Sequence, residues 1–150
     1  MASLKPVLLV EDNLNDIELV MNALKRNHLA NEVISARHGG EALDFLHRRG
    51  NYADYKGDDP LFILLDLKMP KVDGLEALKQ IKADERLKLI PVVMLTSSAE
   101  EADLVKSYRL GVNAYVVKPV DFTQFVEAIR QLGIFWALIN KPAPLPATSG

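Results

Sequence analysis

Four short apolar runs each end next to a side chain that can take part in chemistry, and this repetition constrains the fold more than any other feature. The runs at 6–10 and 61–65 are followed by acids, the run at 91–95 by a threonine and the run at 114–117 by a lysine. Runs of this length and composition are typical of buried strands in parallel sheets. Because the carboxyl ends of parallel strands meet at one sheet edge, we expect the side chains that follow them to form one site. These side chains are Glu11, Asp12, Asp66, Thr96 and Lys118.

Amphipathic stretches separate the apolar runs, and this alternation predicts an α/β fold. A weaker strand is predicted at 32–36, and a loop at 48–60 that is longer than usual. Five helices are predicted: from about Asp16 to Arg26 with Asn13 or Asn15 as cap, after Gly39-Gly40, after Asp73-Gly74, from Ser97 or Ser98 to Gly111, and from Asp121. Right-handed crossovers then give a doubly wound, five-stranded parallel sheet with five helices, a flavodoxin-like three-layer fold.

Composition excludes several classes of function. The chain has 150 residues, enough for one domain, and its formal charge of −2 gives no general attraction to nucleic acid or to an anionic membrane. The absence of cysteine excludes a thiolate metal site and a thiol nucleophile. Neither a signal-peptide pattern nor an apolar run of the roughly 18 to 20 residues that a membrane span needs is present. We therefore expect a soluble, cytoplasmic protein.

The residue types at the predicted edge are those of a Mg2+-dependent phosphoryl-transfer site. Asp66 is the predicted nucleophile, because an ionised carboxylate can attack a phosphoryl group and form an acyl phosphate. Clustered carboxylates repel one another unless a divalent cation lies among them, and oxygen ligands favour Mg2+. We expect Asp12 to be a direct ligand and Glu11 to reach the ion through water. The alternative is that Asp66 caps a helix or forms a surface ion pair, with solvated loop acids beside it.

The other two residues have both a functional and a plainly structural interpretation. Thr96 can hydrogen-bond a phosphoryl oxygen, although threonine is also common in strands and caps. Lys118 can form an ion pair with Asp66 and then with the phosphoryl group, because lysine is seldom buried unpaired. The three histidines are dispersed at no ligand spacing and are predicted to be surface or helix residues: His28, His38 and His47.

The chain closely resembles the receiver domain of two-component response regulators over about residues 5–133. Four motifs carry the resemblance: Val-Glu-Asp-Asn at 10–13, Leu-Asp-Leu-Lys-Met-Pro-Lys-Val-Asp-Gly at 65–74, Leu-Thr-Ser-Ser at 95–98 and Gly-Val-Asn-Ala-Tyr-Val-Val-Lys-Pro at 111–119. The resemblance implies that Asp66 takes its phosphoryl group from a histidine kinase. It also implies that the backbone carbonyl of Lys68 is a metal ligand beside the acids, and that Tyr115 is a switch aromatic acting with Thr96. No external substrate is implied, and the expected chemistry is self-phosphorylation of Asp66 and its autodephosphorylation.

Softer markers within the family resemble stand-alone regulators paired with bacterial and cyanobacterial phytochromes. They are the segment around 48–60, Ser-Tyr-Arg-Leu-Gly-Val-Asn at 107–113, and Phe135-Trp136 after the last helix. The resemblance implies a phytochrome-type sensor histidine kinase as partner. With no DNA-binding module after the receiver, we expect output through protein contact, dimerisation or phosphate relay.

Three rival functions fit parts of the pattern. A phosphatase with an aspartyl nucleophile usually needs a second acid two residues later, where this chain has Lys68. A flavodoxin-like cofactor binder must cradle a phosphate in its first loop, where Glu11 and Asp12 repel one. A degenerate receiver used as a docking module is expected to have lost some of the five site residues, and all five are present.

The C-terminal segment predicts a homodimer. We expect one receiver domain over 1–140, an apolar extension at 134–140 and a disordered tail at 141–150. The extension adds Ile134, Phe135, Trp136, Leu138 and Ile139 to an already apolar last helix. Exposed apolar patches of this kind mark interfaces, and aromatic residues favour interface cores. The alternative is that the extension folds back on its own domain, with Trp136 as a satellite core residue.

Overall fold

The computed structural model describes residues 5–26, 31–67, 74–96, 109–118 and 120–132. None of the helices in these ranges is long and apolar enough to cross a membrane. The apolar extension, the predicted tail and most of the helix expected before Gly111 lie outside the described residues.

A five-stranded parallel sheet forms the centre of the molecule, as the sequence predicts. Its strands are β1 Val7–Val10, β2 Val33–Ala36, β3 Phe62–Asp66, β4 Val92–Thr96 and β5 Ala114–Val117. The spatial order is β2-β1-β3-β4-β5, so the chain direction across the sheet reverses after β2 and the fold is doubly wound. Strands β1, β3 and β4 are fully buried, which explains why they appear in the sequence as continuous apolar runs rather than alternating patterns.

Helices pack on both faces of the sheet. They are α1 Leu14–Arg26, α2 Gly39–Leu46, α3 Gly74–Ala83 and α4 Phe122–Gln131. Alternate strand residues divide the core into two clusters, one beneath α2 and α3 and the other beneath α1 and α4. The predicted three-layer flavodoxin-like fold is therefore confirmed.

Polar side chains cap the first turn of two helices, α1 and α4. The Asn13 Oδ1 accepts a hydrogen bond from the Asp16 backbone N–H at 3.0 Å, so α1 begins two residues before the predicted Asp16. The Asp121 Oδ1 accepts from the Gln124 backbone N–H at 2.8 Å, as predicted for the last helix. Such caps satisfy backbone donors that a helix leaves unpaired in its first turn.

The connection after α2 is long, as the sequence predicts, and it contains a short element that was not predicted. It contains a short 3-10 turn, Gly50–Tyr52, and the ring of Tyr52 packs edge-on against Phe45 at 5.3 Å between centroids. The Arg48 guanidinium contacts the Asp59 carboxylate at 3.3 Å, and Arg86 contacts the same carboxylate at 2.6 Å. Two arginines on one carboxylate therefore fasten this connection to the body of the domain.

The apolar face of α4 is wider than the core that receives it. Phe125 and Ile129 are buried, whereas Phe122 and Val126 are half-buried. The apolar spacing of this helix predicts an inward face that is filled by Phe122, Phe125, Val126, Ile129 and Leu132, but the structure covers Phe122 and Val126 only in part. The Arg26 guanidinium lies 4.4 Å from the centre of the Phe122 ring, which covers part of that ring with a cation.

Candidate functional site

Three neighbouring strands deliver buried polar side chains to the carboxyl edge of the sheet. Asp66 is the last residue of β3, Thr96 is the last residue of β4, and Glu11 directly follows β1. Their exposed fractions are 4%, 3% and 0%. Polar groups are seldom buried this completely unless they are paired, so this edge is where the domain holds its reactive groups.

The three predicted acids form one cluster. A carboxylate oxygen from each of Glu11, Asp12 and Asp66 lies within 4.8 Å of the other two. Carboxylates this close disfavour one another's charge, and a divalent cation among them removes the repulsion. The all-oxygen donor set fits Mg2+ or Mn2+. The expected fourth donor, the backbone carbonyl of Lys68, lies outside the described residues.

Lys118 follows β5 and joins the acids through its ammonium group. Its Nζ lies 2.8 Å from Glu11 Oε1 and 3.3 Å from Asp66 Oδ1, which places the lysine where the sequence predicts. A third contact, 3.0 Å to Asp16 Oδ2 on α1, was not predicted. The Lys118 backbone N–H donates to the Thr96 carbonyl at 2.7 Å and so fixes the lysine beside β4.

Burial and charge shift the proton affinities of this cluster in opposite directions. Burial raises the pKa of Glu11 to about 7, with the charge of Asp66 adding to the rise and the Lys118 ammonium opposing it. Burial lowers the pKa of Lys118, but its hydrogen bonds to Glu11 and Asp16 outweigh burial and raise that pKa above its ordinary value. The Lys118 ammonium therefore stays charged at neutral pH, whereas the Glu11 carboxyl gains or loses its proton around neutral pH.

Gly74 lets α3 begin directly beneath the end of β3. Its backbone N–H donates to the Leu67 carbonyl at 3.1 Å. A Cβ on this residue meets the Asp66 carbonyl oxygen well inside van der Waals contact and lies 2.7 Å from the Leu67 Cα. Both obstacles are backbone atoms that cannot rotate away. The sequence predicts a glycine at a helix start here, but it does not reveal how closely the glycine approaches the end of β3.

The family model for the response regulator receiver domain matches residues 7–130. The chain belongs to this family. A receiver domain works in two-component signalling, so a histidine kinase is its general partner, and receivers bind Mg2+ or Mn2+ in an acidic pocket such as the one formed here.

Solved receivers of phytochrome pathways are similar to this one. The bacteriophytochrome response regulator RtBRR is 60% identical with a TM-score of 0.85, and the match covers 94% of this chain and 85% of that chain. The phosphorylated cyanobacterial phytochrome response regulator RcpA is 41% identical with a TM-score of 0.75, covering 96% and 99%. Rcp1 in its Mn(2+)-bound form is 40% identical with a TM-score of 0.75, covering 94% and 99%. As a sequence, Rcp1 from Synechocystis is 41% identical over 132 residues, 88% of each chain.

The two residues expected to act as a switch share one face of the receiver's sheet. Tyr115 pairs with Met94 and Val117 pairs with Thr96, so the tyrosine lies two residues before the position opposite the threonine. The Tyr115 side chain is half-buried and borders an open groove lined by α4 residues.

Proposed function

We propose that this receiver accepts a phosphoryl group from a histidine kinase on the carboxylate of Asp66, with Mg2+ bound beside it. The observation that carries the proposal is the buried Asp66 carboxylate, which clusters with Glu11 and Asp12 and has the Lys118 ammonium 3.3 Å away. An Asp66 oxygen attacks phosphorus, the bond from phosphorus to the kinase histidine nitrogen breaks, and that nitrogen keeps the electron pair. The acyl phosphate is later hydrolysed, so no external substrate is turned over. We also infer a cytoplasmic location, because histidine kinases draw their phosphate from ATP.

The surrounding side chains offset the charge that arrives with the phosphoryl group. Glu11, Asp12 and Asp66 would hold Mg2+, which supplies positive charge next to the transferring oxygens. Lys118 donates hydrogen bonds from its ammonium, and the Thr96 hydroxyl donates another. Because these groups lie in a largely buried site, their electrostatic effect on the phosphoryl group exceeds what it would be in water.

A phytochrome-type kinase is the proposed phosphoryl donor. The support is the 60% identity to RtBRR, which is described as a bacteriophytochrome response regulator, and the likeness to RcpA and Rcp1. The test is phosphotransfer from a purified, autophosphorylated bacteriophytochrome kinase, with a histidine kinase of a non-phytochrome pathway as control. Transfer from the phytochrome kinase at a rate at least tenfold higher supports the pairing. Equal rates from both kinases, or transfer from the control kinase alone, contradict it.

Removal of Asp12 should weaken Mg2+ binding by at least about tenfold. Even groups that merely orient a metal ligand contribute about 10- to 100-fold to metal affinity, so a direct carboxylate ligand should contribute no less. Calorimetric titration of Mg2+ into Asp12→Ala measures the change, and Asp58→Ala in the exposed loop is the control. An unchanged affinity in Asp12→Ala means that the metal lies elsewhere or that Glu11 is the main ligand.

The same titration should depend on pH. Because the pKa of Glu11 is raised to about 7, the metal-free protein holds a proton there below that pH, and a bound cation displaces it. Mg2+ affinity is therefore expected to fall between pH 8 and pH 6, with proton release visible as a dependence of the heat on the buffer. Glu11→Gln should remove the proton release.

Phosphorylation should move Thr96 towards the phosphoryl group and Tyr115 inward, which we propose as the switch. The two residues share a face of the sheet, and Tyr115 borders an open groove lined by α4 residues. A local charge change then biases a two-state element. NMR shifts on adding beryllofluoride, which mimics a phosphoryl group on aspartate, are expected in β5, in α4 and in the helix predicted before Gly111, as well as around Asp66. Shifts confined to the vicinity of Asp66 contradict the switch.

We also propose a homodimer that forms through the C-terminal third. The support is the apolar sequence at 134–140 together with the half-buried Phe122 and Val126 on α4. Burial of the Phe135 and Trp136 side chains at a partner surface contributes on the order of several kcal/mol. Light scattering should therefore give a dimer at tens of micromolar and a monomer for a truncation ending at Leu132. A truncated protein that stays dimeric would show that the extension is not part of the interface.

A further inference from the structure

Asp16 makes a contact inside the site that the proposed phosphorylation does not use. Its Oδ2 lies 3.0 Å from Lys118 Nζ, closer than the 3.3 Å from that nitrogen to Asp66 Oδ1. The aspartate lies in the first turn of α1, and its backbone N–H donates to the Asn13 side chain. This hydrogen bond fixes the backbone of Asp16 at the start of α1, from which its carboxylate reaches the lysine.

We propose that Asp16 is a positioning residue that holds Lys118 in the resting state and gives it up to the phosphoryl group on Asp66. The inference rests on the proposed function of Asp66. It adds a competition for the lysine, which sets how strongly the phosphorylated state is stabilised.

The hydrogen-bonding capacity of Lys118 creates this competition. An ammonium group has three N–H donors, and three carboxylates lie around it: Glu11 at 2.8 Å, Asp16 at 3.0 Å and Asp66 at 3.3 Å. The donor that faces Asp66 can pass to a phosphoryl oxygen there, but that oxygen lies farther from the Asp66 backbone than Oδ1 does. The ammonium must shift to follow it, and we infer that this shift lengthens one of its two other contacts.

The burial of Glu11 and of Asp16 decides which of these two contacts Lys118 gives up. The Glu11 side chain is fully buried, so water cannot replace the ammonium at its carboxylate, and loss of this 2.8 Å contact leaves a buried oxygen without that partner. The Asp16 side chain is 21% exposed, so water can replace the lysine at its carboxylate. Ion pairs that are exposed to water contribute little net free energy, so Lys118 can give up its contact with Asp16 at small cost. Asp16 is therefore the partner that releases Lys118.

The test measures two affinities in Asp16→Asn, which keeps the size of the side chain and removes its charge. Beryllofluoride at saturating Mg2+ is expected to bind about fivefold more tightly, because Lys118 no longer has Asp16 as a competing partner. Mg2+ without beryllofluoride is expected to bind more weakly, because one negative charge near the acids is lost. Local unfolding would weaken both affinities. Tighter beryllofluoride binding together with weaker Mg2+ binding therefore distinguishes a positioning role from loss of structure.

Two further variants and the wild type complete the design. Glu18→Gln removes an exposed acid from the same helix and should leave both affinities within about twofold of wild type, whereas Asp16→Glu should restore the weaker beryllofluoride binding. Unchanged or weaker beryllofluoride binding in Asp16→Asn overturns the inference and leaves the proposed function intact. Failure of the wild type to bind beryllofluoride overturns the proposed function and the inference with it.

Discussion

Replacement of Gly74 by alanine is expected to destabilise the domain by about 2 to 3 kcal/mol and to abolish phosphorylation of the molecules that still fold. The added methyl group meets the Asp66 carbonyl oxygen and lies 2.7 Å from the Leu67 Cα, both of them backbone atoms. Either the start of α3 or the end of β3 must move. A displaced β3 carries the Asp66 carboxylate away from Lys118, so stability and chemistry fail together.

Gly57→Ala is the matched control for Gly74→Ala. A Cβ at Gly57 also meets a neighbour, but that neighbour is the far end of the half-buried Tyr55 side chain, which shifts more readily than backbone atoms do. Chemical denaturation should place this variant within about 1 kcal/mol of wild type, and acetyl phosphate should still label it. A Gly74→Ala protein with wild-type stability and labelling contradicts the close packing of α3 against β3.

The sheet and its edge could be predicted because buried parallel strands leave a plain trace in the sequence. Strands β1, β3 and β4 are buried on both faces, so each is a continuous apolar run, and the polar residue at its end stands out. The predicted end of β3 at Leu65 was one residue short, since Asp66 still pairs with Leu95 in β4. This error does not move the site, because the acid lies at the sheet edge in either assignment.

The contact between Asp16 and Lys118 could not be predicted from spacing. It depends on how α1 leaves β1, and the cap at Asn13 starts this helix two residues earlier than the apolar periodicity suggests. Asp16 is therefore the third residue of α1, and its carboxylate reaches the lysine that follows β5. The two residues are far apart in sequence, and no local pattern links them.

The outward part of α4 shows a further limit of periodicity. Apolar spacing assigns Phe122 and Val126 to the inward face, but the cluster beneath the helix accommodates Phe125 and Ile129 and leaves the other two half-buried. A pattern of apolar residues reports which side of a helix faces the core. It does not report how much of that side the neighbouring elements cover.

Loss of the Asp66 carboxylate is expected to eliminate phosphorylation completely. Asparagine keeps the shape of the side chain, but its amide is not a nucleophile at neutral pH and cannot form an acyl phosphate. The variant should still fold, because the change removes one of three mutually repelling carboxylates and leaves Lys118 its contacts with Glu11 and Asp16. Thermal unfolding of Asp66→Asn without Mg2+ should therefore show a midpoint no lower than that of wild type.

The most direct test of the account is the intact mass of wild type and Asp66→Asn after incubation with acetyl phosphate and Mg2+. The account predicts that wild type gains one phosphoryl group, that Asp66→Asn gains none, and that chelation of Mg2+ prevents the gain in wild type. A phosphatase would consume acetyl phosphate catalytically, and a docking module would neither gain mass nor consume it. Labelling of Asp66→Asn at the wild-type rate would show that Asp66 is not the phosphoryl acceptor.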